Sequence, residues 1–226
     1  MKKQLLAAAV MVALALPSAA SAATSDSQVW TTANLTVKLA DKWRLQNELV
    51  LRFSDNRDGL YEIENNTLLG YKLNSNLTLW GGYTFNPQYS HGDLTTREHR
   101  LREQLTADKL AMIGNGKLSG RLRTEQRWRE NADGTGWRVR PYLKYALPLG
   151  AKSKTALILT HESFLNLNTT PFQNRRDYRM RNLVGISTPL SKQFSLEAGY
   201  MNQYTFVHGR TDTSDNILSL TLGASL

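Results

Sequence analysis

Arginines at every second position, set against aromatic and aliphatic residues, are the pattern in this chain most able to do chemistry. Between Leu118 and Leu147, Arg121, Arg123, Glu125, Arg127 and Arg129 share one face. After the turn 131–136, Arg138, Arg140, Tyr142 and Lys144 repeat it. Arg100, Arg102, Arg179 and Arg181 alternate in the same way elsewhere, and Glu62, Glu64, Glu98 and Glu162 fall on matching faces. A guanidinium stays charged and offers a planar fork of donors that fits a carboxylate or phosphate. A row of them suits capture of small anions, and with carboxylates among them it suits an internal ion-pair lattice.

Candidates for hydrolytic chemistry are fewer. His91 with Asp93, His208 with Asp212 or Asp215, and His161-Glu162-Ser163 bring a base near an acid or a hydroxyl. A nucleophile and its base must meet within hydrogen-bond reach, oriented by a third group. His161 and Ser163 share a strand face, but two positions apart on a strand is a loose signal, and no catalytic set is expected. No cluster has metal-ligand spacing, so neither metal nor cofactor is expected.

The elements that position these residues are strands. From Val29 onward, segments of about 10–14 alternating residues run to the end, each with one charged face and one greasy face. Trp43, Leu45, Leu49, Leu51 and Phe53 oppose Arg44, Gln46, Glu48 and Arg52, and later segments follow suit. With Arg44, Arg52 and Arg175, the faces opposite the aromatics carry fourteen basic residues; with Glu48, Asp177 and Glu197 they carry eight acids. A soluble β-protein would have to bury every tryptophan and tyrosine of the greasy face. A membrane barrel turns that face to lipid and the charges to its lumen.

Three further features favour the membrane barrel. Residues 1–22 read as a Sec signal peptide: Met1-Lys2-Lys3, an apolar run from Leu5 to Leu16, and Ala20-Ser21-Ala22 before the cleavage point. Tight connections at 40–42, 74–75, 111–116, 148–153 and 189–192 alternate with more polar ones at 87–96, 166–174 and 208–215, as periplasmic turns alternate with outer loops. Aromatics gather near both strand ends: Trp43, Tyr71, Tyr145 and Phe194 at one, and Tyr61, Phe85, Trp128, Trp137 and Phe206 at the other. No cysteine occurs and the net charge is +9. An exported chain seldom meets nucleic acid, so nucleic acid is not expected as a partner.

The expectation is therefore all-β: residues 23–226 form a single antiparallel transmembrane β-barrel of 10–12 strands in the bacterial outer membrane. Eleven segments can be counted. Since bacterial single-chain barrels have even strand numbers, either Val29–Leu39 lies outside the wall or two strands have been merged. Glu103 falls on the lipid face by strict alternation, and a bulge in its strand would repair that.

Glu98-His99-Arg100, Arg121-Leu122-Arg123-Thr124-Glu125-Gln126-Arg127, Arg138-Val139-Arg140-Pro141-Tyr142 and Leu196-Glu197-Ala198-Gly199-Tyr200 occur in this order. Together they resemble the bacterial family catalogued as domain of unknown function 2490, over nearly all of 27–226. The resemblance implies an outer-membrane β-barrel and brings no catalytic residues and no substrate. Many such barrels end in Phe or Trp, whereas this chain ends in Leu226 with the alternation kept, so the barrel-assembly machinery is an expected partner, as is outer-membrane lipid. Three uses of the lumen stay open: a small passive channel biased toward acidic solutes, a closed structural barrel held by a charge lattice, and a hydrolase. An adhesion barrel that binds through its loops is a fourth.

Overall fold

In the computed structural model, residues 23–226 are described, so the expected signal peptide lies outside the described residues. Eleven strands make up the wall: β1 (Thr24–Lys38), β2 (Trp43–Ser54), β3 (Gly59–Lys72), β4 (Leu77–Ser90), β5 (Asp93–Ile113), β6 (Gly116–Arg129), β7 (Ala132–Pro148), β8 (Ala156–Asn166), β9 (Tyr178–Pro189), β10 (Phe194–Phe206) and β11 (Thr213–Ser225). Each pairs antiparallel with the next. β1 and β11 then close the cylinder in parallel, from Thr24 beside Thr213 to Thr36 beside Ser225. Closure satisfies every strand edge internally. The shortest strand has 11 residues and the longest 21, enough for the roughly 9–11 residues that a bilayer crossing takes.

The expected range of 10–12 strands holds, and both even-numbered repairs fail. The first segment is a full wall strand that begins five residues earlier than its greasy face suggests, because Gln28 and Trp30 point inward beside Ser54 and Arg52. No two strands are merged. An odd count fixes the geometry of the ends: β1 starts at the same rim where β11 starts, so the two chain ends of the barrel lie at opposite rims.

The connections at the rim of Thr24 are shorter than their polar composition suggests. The 87–96 stretch is mostly ladder, with only His91-Gly92 left as a turn, at φ of 51° and 87°. The 131–136 stretch likewise shrinks to Glu130-Asn131, with Asn131 at φ 61°. Hydrogen-bonded pairing extends wherever alternation allows it, whatever the polarity of the residues. Only the connection between β8 and β9 is long.

The outer wall is greasy and the interior is charged, as the alternation dictates. Val29, Trp43, Leu69, Leu79, Trp137, Val184, Leu218 and Leu222 are exposed outside, while Arg100, Arg102, Glu98 and Glu125 are buried inside. Trp43 meets Tyr71 edge-on at 4.9 Å on one rim, and Phe206 packs on Tyr204 and Tyr178 at the other. Tyr61 departs from the expected girdle. A bulge between Arg52 and Phe53 turns it inward, where its hydroxyl donates to Gln28 at 2.8 Å. Glu103 needs no bulge. It stays in regular register on the outer face and accepts hydrogen bonds from Thr124 (2.7 Å) and Gln126 (3.3 Å).

Candidate functional site: the arginine-lined lumen

Five glutamates and nine arginines form one connected network across the lumen. Glu98 accepts a two-pronged contact from Arg127, with both distances 2.9 Å, and is touched by Arg100 and Arg129 at 2.5 Å each. Glu64 gathers Arg52 (3.2 Å), Arg100 (3.1 Å) and Arg102 (2.7 Å). Arg52 also reaches Glu62 at 2.5 Å. Glu125 gathers Arg102 (3.0 Å), Arg138 (2.5 Å) and Arg140 (2.7 Å). Arg140 passes on to Glu162 at 3.0 Å, where Arg121 and, at 3.8 Å, Arg181 also converge.

The strand register explains why these groups meet. Arg100 pairs with Arg127, Arg102 with Glu125, and Glu125 with Arg138, so β5, β6 and β7 bring their charges to the same height. Alternation then turns all of them inward. Like charges side by side are tolerable only because each is flanked by a carboxylate from the next rung.

The network fills the barrel at mid-height. Glu98 and Glu125 are 0% exposed, Arg102 1%, and the inward Ile158 and Ile217 1% and 0%. A side chain beside a water-filled pore would keep surface open to water, and these have none. Part of the filling is aromatic. Arg181 lies between the rings of Trp30 and Phe164, 4.5 Å from each centroid. Arg52 covers Trp30 on one side at 4.1 Å, and Arg140 covers Phe164 on the other at 4.3 Å. This stack runs from β2 to β7 across the lumen, and Trp30 is wedged against Met201, Ile217 and Leu183. Cation–π contacts strengthen when water is excluded.

The stack is a septum between two chambers. A cavity of about 150 Å³ lies on its Thr24-rim side and one of about 200 Å³ on the other, and Arg52, Glu64, Arg140 and Arg181 line both. Near the rim the longest connection folds inward. Phe172 sits against Arg129 at 5.2 Å, and Gln173 accepts a hydrogen bond from Arg127 at 2.9 Å. Beyond it a mouth of about 470 Å³ opens, lined by Asp26, Arg57, Arg179 and Arg210 among others.

Positive charge is in excess. Arg123 is 4% exposed, and its Nε donates to the amide oxygen of Gln104 at 2.9 Å. Arg179 donates to the hydroxyl of Thr205 at 3.1 Å and, among the described residues, has no carboxylate within ion-pair distance. Lys144 stands apart from the network and pairs with Glu197. Of the residues expected on the lumen faces, the acids Glu62, Glu64, Glu98, Glu125 and Glu162 are in the lattice and Glu48, Asp177 and Glu197 are not; the bases are in it except Arg44, Arg123, Lys144, Arg175 and Arg179. Trp30, Phe164, Phe172 and Gln173 escaped the sequence reading. Trp30 and Phe164 carried a signal, because each is in phase with the polar face of its strand.

Of the hydrolytic candidates, two pairs do not assemble. His91 occupies a tight turn, and the ring of His208 receives a hydrogen bond from Arg176 at 2.8 Å rather than meeting Asp212 or Asp215. His161 and Ser163 do meet, with Nε2 and Oγ 2.9 Å apart. Among the described residues, no group of three or more His, Cys, Asp or Glu could hold a metal ion.

A family model described as "Protein of unknown function (DUF2490)" matches residues 27–214. The chain belongs to this family. An uncharacterized protein from Methylorubrum extorquens is 28% identical over 199 residues, covering 87% of this chain and 86% of that protein. No solved structure matches. The DUF2490 match spans β1 to the start of β11, and therefore the whole lattice.

Proposed function

We propose that this DUF2490 chain is an outer-membrane β-barrel, closed to passive flow at mid-height, whose cationic mouth takes up small anions. The observation that carries the reading is the combination of a buried, continuous Arg–Glu lattice with an apolar outer wall. Apolar residues facing outward around a charged interior is the arrangement lipid demands. The surplus of guanidinium over carboxylate gives the mouth its preference, since rings of arginine favour anions. An open anion-selective pore gains no such support, because the middle of the lumen is packed.

On this reading the rim of Thr24, which carries the one long connection at 167–177, faces outward and the rim of Leu226 faces the periplasm. The odd strand count then puts the barrel's two chain ends on opposite sides of the membrane. An epitope placed just before Thr24 will be reached by antibody on intact cells, and one after Leu226 only after permeabilisation. Equal access to both would contradict the parallel closure of β1 on β11.

The anion reading is tested by ligand-dependent stability. Citrate or inorganic phosphate will raise the unfolding midpoint of the purified barrel. A ligand at 100 times its dissociation constant stabilises by roughly 2.7 kcal/mol. Arg179→Gln will remove most of that rise. An unchanged midpoint for wild type with either anion would end the uptake reading while leaving the barrel reading standing.

A further inference from the structure

One polar cluster on the greasy outer wall has an order that the others lack. Ser163 on β8 lies with its Oγ 2.9 Å from Nε2 of His161, and Nδ1 of His161 lies 2.7 Å from Oδ1 of Asn182 on β9. Tyr178 brings its hydroxyl to 2.7 Å from the same Oγ. Since Asn182 Oδ1 is an acceptor, Nδ1 carries the proton and Nε2 is left free to accept from Ser163. Hydrogen bonds then run in one direction, from Tyr178 to Ser163 to His161, while His161 donates to Asn182. That is a nucleophile, its base, and the group that orients the base.

We propose that Ser163, His161 and Asn182 form a serine-esterase site on the lipid-facing wall, acting on long-chain fatty-acyl esters of the surrounding leaflet. It rests on the outward-facing wall meeting lipid, as proposed above. Glu162 and Phe164 point into the lumen, so alternation puts Ser163 and His161 on the outer face. Leu165 pairs with Tyr178, the first residue of β9, so Ser163 sits two residues, or about 7 Å, below the rim. On the outer-membrane reading a site this close to the end of β8 falls near the boundary between headgroups and acyl chains, where ester carbonyls lie and water still reaches. Neighbouring Leu159, Leu165, Met180 and Val184 offer an apolar bed for a chain.

Two other outer-wall clusters, Glu103 with Thr124 and Gln126, and Asn47 with Asn65 and Thr67, pair sideways without a nucleophile–base sequence. Polar groups on such a wall are costly unless paired, and pairing alone accounts for those two. It does not account for a directional Ser–His–Asn chain.

The reaction balances with water as the second substrate. Ser163 Oγ attacks the ester carbonyl carbon and its proton passes to Nε2 of His161. The carbon–oxygen bond to the alcohol breaks, and His161 returns the proton to that oxygen. Water then attacks the acyl-serine, giving up a proton to Nε2; the bond from the acyl carbon to Oγ breaks, His161 returns that proton to Oγ, and the fatty acid leaves. Tyr178, released from Oγ as the new bond forms, is placed to donate to the carbonyl oxygen as charge develops there.

The test uses the full barrel in detergent and in vesicles. A fluorophosphonate will label Ser163, as read by intact mass and peptide mapping, and the label will disappear in His161→Ala. p-Nitrophenyl palmitate in micelles will be hydrolysed. Ser163→Ala will fall to background, and Asn182→Ala and Tyr178→Phe will each lose about 10²–10³-fold in kcat with little change in KM. Phosphatidylglycerol vesicles and purified lipopolysaccharide are the two lipid arms, and fatty acid released from either identifies the source. No label on Ser163 and no palmitate ester hydrolysis by a heat-modifiable, folded wild type would overturn the proposal. So would wild-type hydrolysis that Ser163→Ala leaves unchanged, or hydrolysis of the micellar ester with no release from either lipid. Failure of the site with an outer-membrane location intact would leave the barrel reading untouched.

Discussion

Glu125→Gln will destabilise the barrel by about 3–5 kcal/mol, the usual cost of stripping one partner from a buried ion cluster. Glu125 is fully buried and anchors Arg102, Arg138 and Arg140. The amide fills the same space and cannot carry the charge, so three guanidiniums keep their place while losing their shared counter-ion. Water cannot enter to compensate, because the packing around Arg102 and Glu125 leaves no exposed surface. The loss will be read as a lower denaturant midpoint and as earlier loss of the compact gel band on heating. Glu130→Gln is the control: its contact with Arg97 is 43–45% exposed, and such pairs contribute below about 1 kcal/mol. Equal effects at the two sites would contradict a lattice that organises the lumen.

The second large effect is on conductance. Trp30→Ala combined with Arg181→Ala removes the middle of the septum, since Arg181 is the group held between Trp30 and Phe164. The cavities on either side already share Arg52, Glu64 and Arg140 as walls. The double variant will show steps in a planar bilayer, and these will select anions because Arg123 and Arg179 remain without carboxylate partners. Adding Glu64→Gln will raise the selectivity further. A double variant that folds and selects cations would contradict the assigned charge excess.

Much of this was legible in the sequence, and the rest was hidden for specific reasons. Alternation puts the lattice members on one face because a strand has only two faces, and the choice between outer wall and lumen follows from side-chain polarity. It could not say which arginine meets which glutamate. Arg102 and Glu64 are on β5 and β3, not on adjacent strands, and their contact depends on barrel curvature and register. Trp30 and Phe164 break the polar rhythm of their faces, a signal of interior filling that went unread and that could not reveal the arginine between them. The bulge that turns Tyr61 inward leaves no trace in alternation, since one extra residue looks like continued strand. Strand number was obscured by a rule about even counts, whereas Thr24–Lys38 simply pairs on both sides.

His161 and Ser163 were visible as neighbours on one face. Asn182 was not, because the register that sets it opposite His161 is fixed by the β8–β9 pairing and not by spacing in the chain. Phe172 and Gln173 lay in a stretch that read as an ordinary polar loop. Their inward fold depends on Arg127 and Arg129 waiting at the rim.

Single-channel recording of the wild-type barrel in a planar bilayer bears most directly on the closed lumen. The expected result is insertion, verified by the heat-modifiable band recovered from the membrane, with no conductance steps in chloride or citrate. Regular open steps from the unaltered protein would contradict a lumen sealed by the lattice and the Trp30–Arg181–Phe164 stack.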